Sequence, residues 1–235
     1  MRRMPAVIFT AIALVAAAAP ARAQQSLSFS LGGFVPRGED ARVRDNGRSN
    51  DVLVNNLDFL SFNLKDFAGG TVGAEYIVGV GEWLDASMGV GFYRRTVPSV
   101  YADFVNTNGS EIEQDLRLRI VPFTATVRFL PLGRSTGVRP YIGAGLGVFN
   151  WRYSESGQFV DFRDRSVFRD SFAGSGTATG PVVLGGVSIP VGMVDLGGEV
   201  RYQDAVGDLP ASEDFSADKI DLGGWTYLLT FNIRF

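Results

Sequence analysis

The stretch WTYLLTFNIRF, residues 225–235, constrains the fold most. Trp225, Tyr227, Leu229, Phe231, Ile233 and Phe235 are large and apolar. Thr226, Leu228, Thr230, Asn232 and Arg234 alternate with them. A period of two marks a strand with one apolar and one mostly polar face. Soluble chains fray at their termini and seldom present such a face there. The pattern is accounted for if the apolar face meets lipid.

The same period recurs along the chain. Residues 26–35 place Leu27, Phe29 and Leu31 on one face. Residues 68–81 set Val72, Ala74, Tyr76, Val78 and Val80 against Thr71, Gly73, Glu75 and Gly79. Residues 86–95 set Met88, Val90 and Phe92 against Ser87, Gly89, Gly91 and Tyr93. In 115–131, Leu116, Leu118 and Ile120 share a parity, whereas Val121, Phe123, Ala125, Val127 and Phe129 share the other. Keeping the apolar residues outward throughout requires a slip of one residue, and a bulge at Ile120–Pro122 is expected. Residues 139–153 set Ile142, Ala144, Leu146 and Val148 against glycines, and 180–190 is a short strand of ambiguous phase. Residues 194–203 set Leu196, Val200 and Tyr202 against Asp195, Glu199 and Arg201. The terminal stretch makes eight strands.

The first residues indicate a compartment. Arg2 and Arg3 precede an apolar run from about Pro5 to Ala19, which ends in Ala21-Arg22-Ala23. This is the pattern of a secretory signal peptide cleaved after Ala23. The run is too short for a membrane-spanning helix, which needs about 20 apolar residues. The expected mature domain is therefore 24–235. Cleavage removes Arg2, Arg3 and Arg22 from 22 basic residues and none of the 25 acidic ones, leaving a formal charge of −6. That balance, with no basic stripe, argues against nucleic acid. Absence of cysteine excludes a disulfide scaffold. No mature segment is apolar for long enough to span as a helix, so a membrane location requires strands closed into a barrel.

Short connections at 82–85, 131–138 and 190–193 alternate with long charged segments near 36–66, 97–111, 154–178 and 204–218. Short turns at one end and long loops at the other are the layout of an outer-membrane barrel. An even strand count puts both termini at the short-turn, periplasmic end. A soluble sandwich or lipocalin-like barrel also alternates. Its water-facing side would carry more lysine than Lys65 and Lys219, which are the only two.

The signal peptide, the alternating strands, RPYIGAGLG (139–147) and the ending Phe231-x-Ile233-x-Phe235 resemble the small eight-stranded barrels of the OmpA, OmpX and OmpW type. The resemblance implies an all-β, antiparallel up-and-down transmembrane β-barrel in the bacterial outer membrane. It implies that Tyr227, Phe231, Ile233 and Phe235 form the signal read by the barrel-assembly machinery. It also implies contact with membrane lipid and lipopolysaccharide.

A barrel of about eight strands is filled by its own side chains, which excludes a general porin. The expected inward charges are Glu75, Arg117, Arg119, Arg128, Glu199 and Arg201. Buried charges must be paired, so a salt-bridged plug is expected, with a gated ion path or a ligand site as the alternative. The expected role is structural or interactive through the long surface loops, and the second is a narrow channel or carrier for small or apolar solutes across the outer membrane. Outer-membrane phospholipase, palmitoyltransferase, deacylase and omptin-type barrels share this layout and use an essential histidine. This chain has none, so histidine-based catalysis is unavailable. No enzyme, no cofactor and no His/Cys metal site is expected.

The loops carry what specificity there is. Leu53, Leu57, Leu60 and Leu64 suit a short amphipathic helix, and FLSFNL (59–64) equally suits a strand. Segment 155–172 interleaves Phe159, Phe162, Phe168 and Phe172 with Arg163, Arg165 and Arg169. It either grips a partner or lipopolysaccharide phosphates, or folds its aromatics over the barrel mouth. Segment 204–218 is acidic, and either solvated or able to hold Ca²⁺ through oxygens.

Overall fold

A computed structural model describes residues 24–135, 137–213 and 215–235. The expected signal peptide, with its cleavage point after Ala23, lies outside the described residues. The rest is dominated by eight strands. They are β1 (Gln25–Pro36), β2 (Gly69–Val80), β3 (Leu84–Val105), β4 (Glu111–Phe129), β5 (Arg139–Val160), β6 (Val167–Val191), β7 (Val194–Gln203) and β8 (Gly224–Arg234). Each pairs antiparallel with the next in sequence, except that β1 also pairs with β8 and closes the ring. The turns at the end shared by the termini are tight. Gly81, Gly133 and Gly192 sit there at φ of 67°, 70° and 66°, a region that favours glycine.

The strands are of two lengths. β1, β2, β7 and β8 have 12, 12, 10 and 11 residues, near the 9–11 that a tilted transmembrane strand needs. β3, β4, β5 and β6 have 22, 19, 22 and 25 residues, and so continue far beyond a bilayer. Two segments expected to be loops, near 97–111 and 154–178, are largely these extensions. Alternation persists in them, but with polarity exchanged between the faces.

That exchange accounts for the expected bulge, which is absent. β4 keeps one register across the site. Val90 faces Phe123 and Tyr93 faces Ile120 on one side, and Val121, Pro122 and Phe123 face Asn150, Phe149 and Val148 on the other. Gly91 makes room for the proline ring; a Cβ there would lie 2.9 Å from Pro122 Cγ. Below this level Phe123, Val127 and Phe129 point out and are half-exposed, while Thr124, Thr126 and Arg128 point in. Above it Leu116, Leu118 and Ile120 are buried inside, and Arg117 and Arg119 take the outward parity. β5 does the same. Ile142, Leu146 and Val148 face out, and beyond them Phe149, Trp151 and Tyr153 are buried within. The strand does not slip. The medium outside it changes from hydrocarbon to water, so apolar side chains move from the outer to the inner parity.

The outer tier is closed by loops where the short strands stop. From 37–68 come Val52, Leu53, Leu60, Leu64 and Phe67, and from 204–223 come Ala205, Leu209, Ile220 and Leu222, all buried against the inner faces of β3–β6. Both readings of 53–64 are met in part. A one-turn helix, Val52–Asn56, is followed by the short strand Leu60–Ser61, which pairs with Tyr101 and Val100 of β3. Asp51 caps that helix by accepting from the Leu53 and Val54 amides. It also receives a two-point bond from buried Arg42, at 2.8 and 3.1 Å. The aromatics of 155–172 fold inward in part. Phe162 packs on Phe59, Tyr101 and Phe104, and Phe159 on Phe168 and Phe172.

Candidate functional site: the charged septum of the lumen

Inward parity on β2, β4 and β7 brings Glu75, Arg128, Glu199 and Arg201 together inside the lower tier. Arg128 Nη2 contacts Glu75 Oε2 and lies 3.1 Å from Glu199 Oε2. Arg201 Nη2 lies 2.6 Å from Glu199 Oε1 and 3.5 Å from Glu75 Oε2. The two cations and two anions thus alternate around a closed ring of net charge zero. Neutral groups from other strands complete it. Ser87 Oγ donates to Glu75 Oε1 at 2.7 Å, and Tyr141 OH to Glu199 Oε2 at 3.1 Å. The Arg128 guanidinium lies over the Tyr141 ring at 5.0 Å. Glu199 and Arg128 side chains are 1% and 7% exposed, so each charge depends on its partners. Glycines opposite give the long side chains space; a Cβ on Gly143 would lie 3.1 Å from Arg128 Cγ.

The ring separates two small cavities. The outer one, about 60 Å³, has Glu75, Arg201 and Thr124 toward the ring and Phe34, Tyr93 and Ile120 toward the apolar core. The inner one, about 50 Å³, opens among Asp85, Arg134, Arg139, Asp195, Asn232 and Arg234. Arg134 pairs there with Asp85 at 2.6 Å, and Asp195 with Arg139 and Arg234 at 3.4 and 3.3 Å.

Of the six expected inward charges, four meet. Arg117 and Arg119 do not, because they belong to the outer tier, where their parity faces water. The second ion-pair layer at the short turns escaped sequence reasoning, although Arg139 and Asp195 carry inward parity. So did the clamp between the two closing loops. In it Arg37 pairs with Asp204 and Asp221 at 2.6 and 2.9 Å, and Arg42 donates to the Asp221 carbonyl at 2.8 Å. These partners are far apart in sequence and no local pattern joins them. In segment 204–218, Asp204 is held by Arg37 and Asp208 by Lys219. Beyond the membrane level Glu155 is buried and, among the described residues, has no cation beside it. It accepts from Asn56 at 2.7 Å and Tyr153 OH at 2.8 Å, and burial raises its pKa. Tyr227, Phe231, Ile233 and Phe235 all point outward, at 53%, 41%, 38% and 69% exposure.

A closed ring of eight antiparallel strands, with an outward apolar band and a polar interior, is a transmembrane β-barrel of the small outer-membrane class. Tyr202 and Trp225, whose rings meet at a tilt with centroids 4.9 Å apart, and exposed Trp83 mark the two edges of the band. No protein-family model matches the chain, and no curated protein matches it in sequence. Solved structures match it in fold. The outer membrane protein OprG from Pseudomonas aeruginosa aligns with 91% of this chain and 96% of its own, at 11% identity and a TM-score of 0.51. Neisserial surface protein A aligns with 90% and 97%, at 15% identity and a TM-score of 0.47. The likeness to OprG shows that the chain has the fold of a small outer-membrane β-barrel, and the outward apolar band places that barrel in a membrane.

Proposed function

We propose that this is a non-enzymatic outer-membrane barrel. Its lumen is closed, and its role is structural or interactive through the water-facing tier on β3–β6. The observation that carries this reading is closure at two levels. The ring of Glu75, Arg128, Glu199 and Arg201 crosses the lumen, and above it an apolar core around Leu118, Phe149 and Trp151 fills the interior. The absence of histidine removes the histidine-based hydrolytic chemistry of the outer-membrane enzymes with this layout. Membrane lipid and lipopolysaccharide are the partners in place, the assembly machinery meets β8 during biogenesis, and the β3–β6 end faces the exterior.

A narrow path for small solutes is the second reading, favoured by the cavities on either side of a septum one layer thick. Planar-bilayer conductance separates the two. The closed barrel gives no steady unitary current, and Glu199→Ala adds little because the apolar tier still blocks the route. Regular openings in the parent protein would establish the path instead.

A further inference from the structure

The outward face just above the lipid band carries a feature that closure of the lumen does not use. Arg94 on β3 faces Arg119 on β4, and Arg119 faces Arg152 on β5. All three have outward parity, so three guanidinium groups stand side by side across three strands. Arg117 stands one pair higher and donates to Thr96 Oγ1 at 3.1 Å. None of the four makes an ion pair among the described residues. Arg119 Nε is buried without an acceptor. Like charges directly opposite on a sheet are destabilising. Such a row is stabilised when an anion lies across it.

The level of the row identifies the anion. The last outward apolar residues below the row are Phe92 on β3, Val121 on β4 and Val148 on β5; Phe92 and Val148 are 45% and 44% exposed and Val121 is half-buried. Arg94 and Arg119 are the first charges above them, and Arg152 follows Asn150. At a rise of about 3.3 Å per residue, the row falls within the headgroup layer, which adds roughly 5–7 Å beyond the hydrocarbon on each side. Asp115 and Glu113 lie higher on the same face of β4, so the positive charge is confined to that layer. Guanidinium forks match phosphate oxygens two at a time. We infer that Arg94, Arg119 and Arg152 form a binding row for the phosphates of an outer-leaflet lipid. The chemistry required is a phosphorylated glycolipid headgroup held against the barrel wall, its acyl chains on Phe92 and Phe123.

The inference rests on the barrel sitting in a membrane, and the test separates the two. The mature chain is reconstituted into phosphatidylcholine vesicles containing bis-phosphorylated lipid A, or the same lipid A with its phosphates removed. Insertion is scored by protease protection, and lipid A association by titration of the heat-unfolding midpoint. Phosphorylated lipid A should raise the midpoint and dephosphorylated lipid A should not. With Arg94→Gln, Arg119→Gln and Arg152→Gln combined, association should weaken at least about tenfold. In vesicles without lipid A, that variant should melt no lower than the parent, because repulsion within the row is gone. Arg119→Gln alone should show a smaller loss in the same direction, which covers failure of the triple variant to insert. Replacing Arg163, Arg165 and Arg169 at the hairpin tip should change nothing. Failure of the parent to insert would overturn the membrane reading and this row with it. Insertion with equal response to both lipids, or an unchanged response in the variants, would overturn the row alone. So would an equal rise with inorganic phosphate, or a rise only with a soluble sulfated polysaccharide.

Discussion

At the scale of single residues, the ring in the lumen sets the largest expected effects. Glu199 meets Arg128, Arg201 and Tyr141 at once and is 1% exposed at its side chain. Removing one partner from a buried charge set costs about 3–5 kcal/mol, because the remaining charge is left uncompensated. Glu199→Ala should lower unfolding stability in urea by an amount of that order. Asp208→Ala should have little effect, since Asp208 is 81% exposed in its pair with Lys219 and such pairs contribute little. Glu155 behaves differently. Burial raises its pKa in the folded outer tier, where Asn56, Tyr153 and, through Asn56, Ser216 surround it. A carboxyl with a raised folded pKa binds its proton more tightly when folded. Its contribution is therefore full below the unfolded value of about 4.3 and is lost as pH rises through the folded value. Protease resistance of segment 37–68, titrated upward from pH 4, should fall in that window, and Glu155→Gln should flatten the dependence.

At the scale of elements, β4 reports two solvents along one strand. A lysine at an outward position near the bilayer midplane costs about 2–4 kcal/mol, so Val127→Lys should impair insertion. Arg119, on the same parity above the band, should accept Leu without loss of the fold. Leu118→Lys should do the reverse of Val127→Lys: the barrel inserts, but the outer tier, where Leu118 is 1% exposed, becomes sensitive to external protease. A bulge at Pro122 would have given the opposite pattern at 118 and 119. For β8, the outward apolar face ends at Phe235, paired by backbone bonds to Gln25. Deleting Phe235 should leave export to the periplasm intact and reduce outer-membrane assembly, measured by the folded fraction in membrane extracts. Normal assembly of the deletion would show that Phe235 only packs.

At the scale of the whole molecule, closure by β1 and β8 satisfies every strand edge in the membrane. The unboiled protein in mild detergent should migrate apart from the boiled form and show β-type circular dichroism. Solubility without detergent, together with identical migration, would contradict the barrel. The two tiers are two ways of filling a cylinder. Where lipid lies outside, the interior is ionic and hydrogen-bonded. Where water lies outside, the interior is a packed apolar core, and loops 37–68 and 204–223 supply the wall that the four short strands lack.

The period of two and the alternation of short and long connections were enough to read about eight strands, their order, and the inward parity of Glu75, Glu199, Arg128 and Arg201. Those depend on local geometry, since every second side chain shares a face and a tight turn returns the chain antiparallel. Parity alone cannot say what lies outside a strand. Leu118 and Val127 differ in parity, and a bulge or a change of solvent accounts for both equally well in one dimension. Only the paired neighbours, Ile120 beside Tyr93 and Val121 beside Asn150, decide for solvent. In the same way Arg94, Arg119 and Arg152 are scattered in sequence. The register of three strands makes them a row, and the height of the apolar band beside them gives the row its chemistry.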